Sequence, residues 1–293
     1  MSTTRQAFGI DAIDAMLGGG LVPGTLTVIA GATGVGKTQL GLRWADQGVR
    51  QETRRGVICD LTSRGDSQNH KAYARDQFGW EIQDHTLDRP LDLDGVWRFD
   101  QPLGDYLHPF SQAGRRVTRR DLDPEEWHVW KSDLARVLRH SVAFFYQHFV
   151  RGARRVVVDG IEPTDRFSES IQFEFFEYLY HQVLRKEDAW AARELFREAF
   201  RANESKVQAH PYDQGSVGCV YLYTTPHVLL DELMSQPITE GDIFSNANTI
   251  LLLGRVREGT RLGRALYVAK HRGSYCSDEV RPYRLTDRGL VFD

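Results

Sequence analysis

Cysteine is scarce in this 293-residue chain: there are three, far apart, at Cys59, Cys219 and Cys276. Two of them fall in segments that read as strands, which argues against a disulfide framework or a thiolate zinc site. Long hydrophobic runs are also missing. The most apolar stretches, such as "SVAFFYQHFV" at 141–150, contain polar residues and fall well short of the roughly 20 apolar residues of a membrane span. The first ten residues, "MSTTRQAFGI", lack the apolar core of a secretory leader. Excess positive charge is absent as well. With 37 Lys and Arg against 40 Asp and Glu, the net charge of −3 gives no general pull toward nucleic acid or an anionic membrane. Repeats and low-complexity segments are not evident. What remains is an ordinary globular composition, 41% hydrophobic and 26% charged, with length enough for a sizeable core and a reducing cytosol as the expected compartment.

Against that plain background "GATGVGKTQL", at 31–40, stands out. It fits G-x-x-x-x-G-K-[ST] at Gly31, Gly36, Lys37 and Thr38. Glycines let successive backbone N–H groups turn inward onto phosphate oxygens, and the helix that follows adds the positive end of its dipole. Lys37 is expected to reach the outer phosphates and Thr38 to place its hydroxyl on Mg²⁺. The residues expected to line a bound nucleotide are Thr33, Gly34, Val35, Gly36, Lys37, Thr38 and Gln39. The context agrees: "LTVIA" at 26–30 reads as a buried strand, and 37–49 as a helix with Leu40, Trp44 and Val49 among its apolar positions.

Further strands are expected at 56–61, 96–100, 155–160, 219–224, 249–256 and 265–271, several of them apolar nearly throughout, as in sheets buried on both faces. Between them lie helices. One opens at Asp123 as N-cap, with Pro124 first in the helix and Glu126 completing a capping box. Its apolar residues Trp127, Trp130, Leu134, Val137, Leu138, Phe145 and Phe149 keep a helical period. Others are expected at 168–184, capped by Ser168, and at 187–204. The polar stretch 203–218 reads as a mobile insertion, and the charged, Gly-bearing turn after 256 as a β-hairpin. Strands alternating with helices behind a phosphate loop imply an α/β fold with a mostly parallel central sheet. One domain over 1–293 is expected, with insertions at about 100–150 and 186–217.

A phosphate-loop enzyme needs a second acid, at the end of a neighbouring strand, to hold Mg²⁺. "RRVVVDG" supplies Asp159 directly after three valines.

Taken together these residues resemble the KaiC-like branch of the RecA superfamily. The similarity starts ahead of the loop, in "FGIDAIDAMLGGGLVPGTLTVIAGATGVGKT", and continues through "YARDQFGWEIQD", "RVVVDG" and the C-terminal "NANTILLLGRVREGTRLGRALYVAKHRGSYCSDEVRPYRLTDRGLVF". The resemblance covers nearly the whole chain apart from roughly 100–150 and 186–217. It implies a RecA-like P-loop fold, ATP and Mg²⁺ as cofactors, and a hexameric ring with nucleotide between subunits. It also implies that Lys270 and Arg272, in "KHRGS", reach across to a neighbour's phosphates. Their alternation along a strand puts both side chains on one face. A circadian role is not carried over, because this chain has one such domain and the clock member two. Ser245 is the hydroxyl nearest the clock member's phosphorylated position, and modification there is not expected.

The pattern breaks at the second strand. The family ends it with paired glutamates, one of which polarises the attacking water, whereas "GVICDLTSRGD" puts Thr62 and Ser63 there. Neither hydroxyl is a useful base near neutral pH. Asp60, Asp66 and Glu162 remain as candidates. The expected function is therefore that of a slowly hydrolysing ATPase whose nucleotide state controls assembly or the binding of a protein partner. Two alternatives are kept: a recombinase-like ATPase binding single-stranded DNA through "GRRVTRR" and "RGARR", and an ATP-bound scaffold without turnover.

Overall fold

In the computed structural model the described residues are 4–62, 68–110, 123–161, 170–237 and 243–292. Strands β1 (Leu26–Gly31), β2 (Val57–Asp60), β3 (Tyr106–Leu107), β4 (Arg155–Ile161), β5 (Gly218–Thr224), β6 (Thr249–Glu258), β7 (Arg261–His271), β8 (Arg281–Thr286) and β9 (Gly289–Phe292) form one sheet of order 3-2-4-5-1-6-7-8-9. From β3 through β6 neighbours run parallel, and β7, β8 and β9 add antiparallel hairpins. The expected C-terminal hairpin is β6–β7, turning at Gly259, and a second hairpin follows it at Gly289.

The period of two along each strand divides the core between two faces. Val28, Cys59, Val156, Val158 and Tyr221 pack on one side, while Ile29, Ile58, Val157, Val220 and Leu222 pack on the other. Both sets are apolar because helices cover both faces, which makes three layers. The second face is covered by α1 (Asp11–Met16), α2 (Lys37–Gln51) and α3 (His70–Phe78). The first is covered by α4 (Pro124–Val150), α5 (Ile171–Leu179), α6 (Asp188–Phe196) and α7 (Phe200–Ala209), while α8 (Leu230–Met234) and α9 (Ile243–Asn246) precede β6.

Helix α4 starts with the expected capping box. Asp123 accepts from the amides of Glu125 and Glu126, and Glu126 reaches back to the amide of Asp123. Val137, Phe145 and Phe149 are buried as their period requires, and Trp127 and Trp130 lie outside the described side chains.

Four expectations need correction. Residues 96–100 are not a strand: Asp94–Trp97 is a 3-10 turn whose Gly95 amide donates to Asp92, and Trp97 stacks on Phe196 and donates to Asn203. The short apolar run is buried against helices rather than paired in the sheet. The helix expected over 187–204 breaks at Arg197, with φ 49°, and resumes as α7, which runs through Ala209 and so removes the start of the expected loop. Ser170, not Ser168, caps α5 by accepting from the amide of Phe173; Ser168 lies outside the described residues. Val49 on α2 is exposed, whereas Leu40 and Trp44 are buried.

Among the described residues no helix is long and apolar enough to cross a membrane. Cys59, Cys219 and Cys276 are free thiols.

Candidate functional site

Strand β1 is buried along its whole length and delivers the chain into the loop that caps α2. Gly34 and Gly36 take φ of 79° and 99°, which a side chain would resist. At Gly36 a Cβ would also meet Leu285 at 2.7 Å, so the C-terminal hairpin closes the space beneath the loop. Thr33 and Gly34 are exposed at the tip and Val35 points into the core. Gln39 lines a cavity of about 400 Å³ between α2 and β9.

Lys37 is buried, and its ammonium donates to the carbonyl of Ala32 at 2.9 Å. Burial pulls its pKa down to about 8, opposed by the charge of Asp159. The ammonium is therefore held under the loop, desolvated and with Asp159 as a nearby counter-charge, where an incoming anion would favour its charged form.

Asp159 stands near the carboxyl end of β4, two strands from β1, yet Thr38 Oγ1 donates to its Oδ2 at 2.7 Å. The parallel register brings the carboxyl ends of β1 and β4 to one edge. Burial would raise the Asp159 carboxyl, but His70, Thr38 and Lys37 together outweigh it and hold its pKa below the ordinary value. A hydroxyl and an ionised carboxylate side by side are the hard oxygen donors that Mg²⁺ takes beside phosphate and water.

His70 opens α3 and was not legible in the motif. Its Nε2 lies 3.1 Å from Asp159 Oδ2, its Nδ1 lies 3.4 Å from the Tyr106 hydroxyl, and that hydroxyl donates to Asp60 Oδ2. Asp60 pairs in register with Asp159, is fully buried, and accepts at Oδ1 from the amide of Thr62 at 2.8 Å. A continuous polar chain thus runs Thr38–Asp159–His70–Tyr106–Asp60. Thr62 is buried and its carbonyl meets His108 Nε2 at 2.8 Å. Ser63, Asp66 and Glu162 lie outside the described residues.

Lys270 and Arg272 converge as their alternation suggests: Lys270 donates to the carbonyls of Phe244 and Ser245 at 3.0 Å, and Arg272 to Ser245 at 3.3 Å. Burial and the neighbouring Arg272 lower the Lys270 pKa. Among the described residues neither bonds to the phosphate loop of its own chain.

The basic "RGARR" segment divides. Arg155 is fully buried, holding Glu52 at 2.8 and 2.9 Å and the carbonyls of Ala7 and Trp44 at 2.7 Å. Arg154 donates to the carbonyls of Phe149 and Ala153. The residues 114–120 lie outside the described set.

A phosphate loop between β1 and α2, with Asp159 brought to it across a parallel sheet, defines a P-loop protein of RecA-like fold. The family model "ATPase: KaiC" matches residues 7–91. The circadian clock oscillator protein KaiC of Thermosynechococcus vestitus is 23% identical over 289 residues, covering 98% of this chain and 42% of that protein. KaiC of Thermostichus vulcanus matches to the same degree. The DNA repair protein RadA of Mycobacterium tuberculosis is 54% identical over 46 residues, 14% of this chain and 10% of that protein. The chain is thus similar to KaiC-like P-loop ATPases of the RecA superfamily. It spans less than half the length of the clock proteins it matches.

Proposed function

We propose that this protein binds ATP with Mg²⁺ at 31–38, assembles as a ring with nucleotide between subunits, and hydrolyses slowly enough for nucleotide state to act as a switch for assembly or for a protein partner. The observation that carries the reading is the 2.7 Å contact of Thr38 with Asp159 above the buried Lys37.

Thr38 and Asp159 would hold Mg²⁺, which supplies charge neutralisation on the phosphates when bound. Lys37 gives up its bond to the Ala32 carbonyl and turns to the outer phosphates, and the amides of 33–38 orient the chain of phosphates. Lys270 and Arg272, on the far side of β6 from the loop, suit phosphate held by the adjoining subunit. Slow turnover follows from the end of β2. Thr62 brings a hydroxyl where the family has a carboxylate, and both oxygens of Asp60 are already hydrogen-bonded in the interior, so Asp60 is better suited to position His70 than to orient water. Glu162 stays a candidate base for the same step.

ATP titration by calorimetry tests the site: Lys37→Ala should abolish binding, and equal affinity in wild type and variant would overturn the assignment. Native mass with and without ATP tests the ring; a strict monomer under both conditions at micromolar protein would overturn it. The reading with single-stranded DNA draws no support from Arg154 and Arg155, which serve the fold, and salt-sensitive gel shifts test it directly.

A further inference from the structure

On the face of the sheet away from α2, three separate segments meet around a second cavity, of about 640 Å³. The loop after α3 brings Asp88 and Arg89, α4 brings Arg136, Arg139 and His140, and the break between α6 and α7 brings Arg197. Leu91 gives it an apolar wall.

Four arginines and one aspartate line it, with Arg136 also 3.9 Å from Asp133 and donating to the Leu87 carbonyl, in a chain whose overall charge is −3. Arg89, Arg136 and Arg197 are exposed and Arg139 is half-buried, so water screens their mutual repulsion, and a polyanion would gain attraction from all four. Among the described residues Arg89, Arg139 and Arg197 form no ion pair, and the buried Nε of Arg139 has no hydrogen-bond partner. His140 is buried at the wall of the cavity, and its pKa is lowered by that burial and then by Arg136 and Arg139, the electrostatic mark of a positive pocket. Arg197 adds a cost of its own: φ 49°, ψ −116° is a conformation that residues with a side chain rarely hold. A glycine would relieve it, and Arg197 lines the cavity from this exposed position.

We propose that this cavity is a binding site for a small polyphosphorylated molecule, separate from the phosphate loop. A closely spaced set of phosphates supplies the charge density that four guanidiniums require, and each planar fork fits two phosphate oxygens. The volume lies in the range of small-molecule pockets. An acidic protein segment or single-stranded nucleic acid would instead need an extended basic track.

The test is calorimetry with inorganic tripolyphosphate on the full chain carrying Lys37→Ala, which silences the phosphate loop. One equivalent should bind per chain. Adding Arg139→Gln and Arg197→Gln should weaken it by about tenfold or more, as loss of two charge-assisted contacts implies. Arg197→Gly supplies the second readout: the thermal midpoint without tripolyphosphate should rise while affinity falls. The proposal is overturned if tripolyphosphate fails to bind the Lys37→Ala protein. It is equally overturned if binding survives the arginine substitutions unchanged, or if oligoglutamate or oligo-dT binds as tightly with the same dependence on Arg139 and Arg197.

Discussion

The Tyr283 hydroxyl donates to the carbonyl of Val35 at 2.6 Å, joining the last hairpin of the sheet to the phosphate loop across 248 residues of chain. Leu285 and Leu290 lie against Gly36 beside it. The loop is therefore shaped from below by β8 and β9 as well as by its own glycines. Tyr283→Phe keeps the packing and removes one buried hydrogen bond. ATP affinity should fall by about threefold to tenfold, the range such a bond represents. Calorimetry checks it; a lower melting temperature with unchanged ATP affinity would make Tyr283 a packing residue only.

His70 is expected to position Asp159 for Mg²⁺. His70→Phe preserves a ring but removes the 3.1 Å contact, and should reduce the gain in ATP affinity that Mg²⁺ confers by about tenfold or more. Affinity measured without Mg²⁺ should stay near wild type, and His70→Gln, which retains a donor, should recover part of the loss. Equal losses with and without Mg²⁺ would contradict the role.

How much of this was legible in the sequence depends on how local the signal is. β1, the loop, α2 and Asp159 declare themselves through composition and spacing over a few residues, and the Asp123–Glu126 capping box did so too. The run at 96–100 misled because a short apolar stretch fits a strand or a buried turn equally well, and only packing of Trp97 on Phe196 decides. The helix from 187 was broken by a backbone conformation at Arg197 that no residue type there announces. His70, Tyr106 and Tyr283 reach their partners across 89, 46 and 248 residues, and nothing nearby in sequence marks them.

Acid should weaken the fold through two histidines beside Phe144. Burial lowers the pKa of both His85 and His148 to about 4 from an ordinary 6.5. The unfolded chain then takes up protons first as pH falls below 6.5, so stability present at neutral pH is lost between there and about 4. His148→Gln, which keeps a donor for the carbonyl of Gly104, should flatten that loss in denaturant unfolding measured across the window. An unchanged slope would show that His148 is not responsible.

The most direct measurement is steady-state phosphate release at saturating ATP and Mg²⁺, comparing wild type, Asp60→Asn, Glu162→Gln and the double variant Thr62→Glu, Ser63→Glu. A slow wild-type rate that rises by about tenfold or more in the double variant is predicted, as partial recovery of general-base catalysis requires. A fast wild-type rate that Asp60→Asn abolishes, with no gain from the restored pair, would contradict the account and make Asp60 the base.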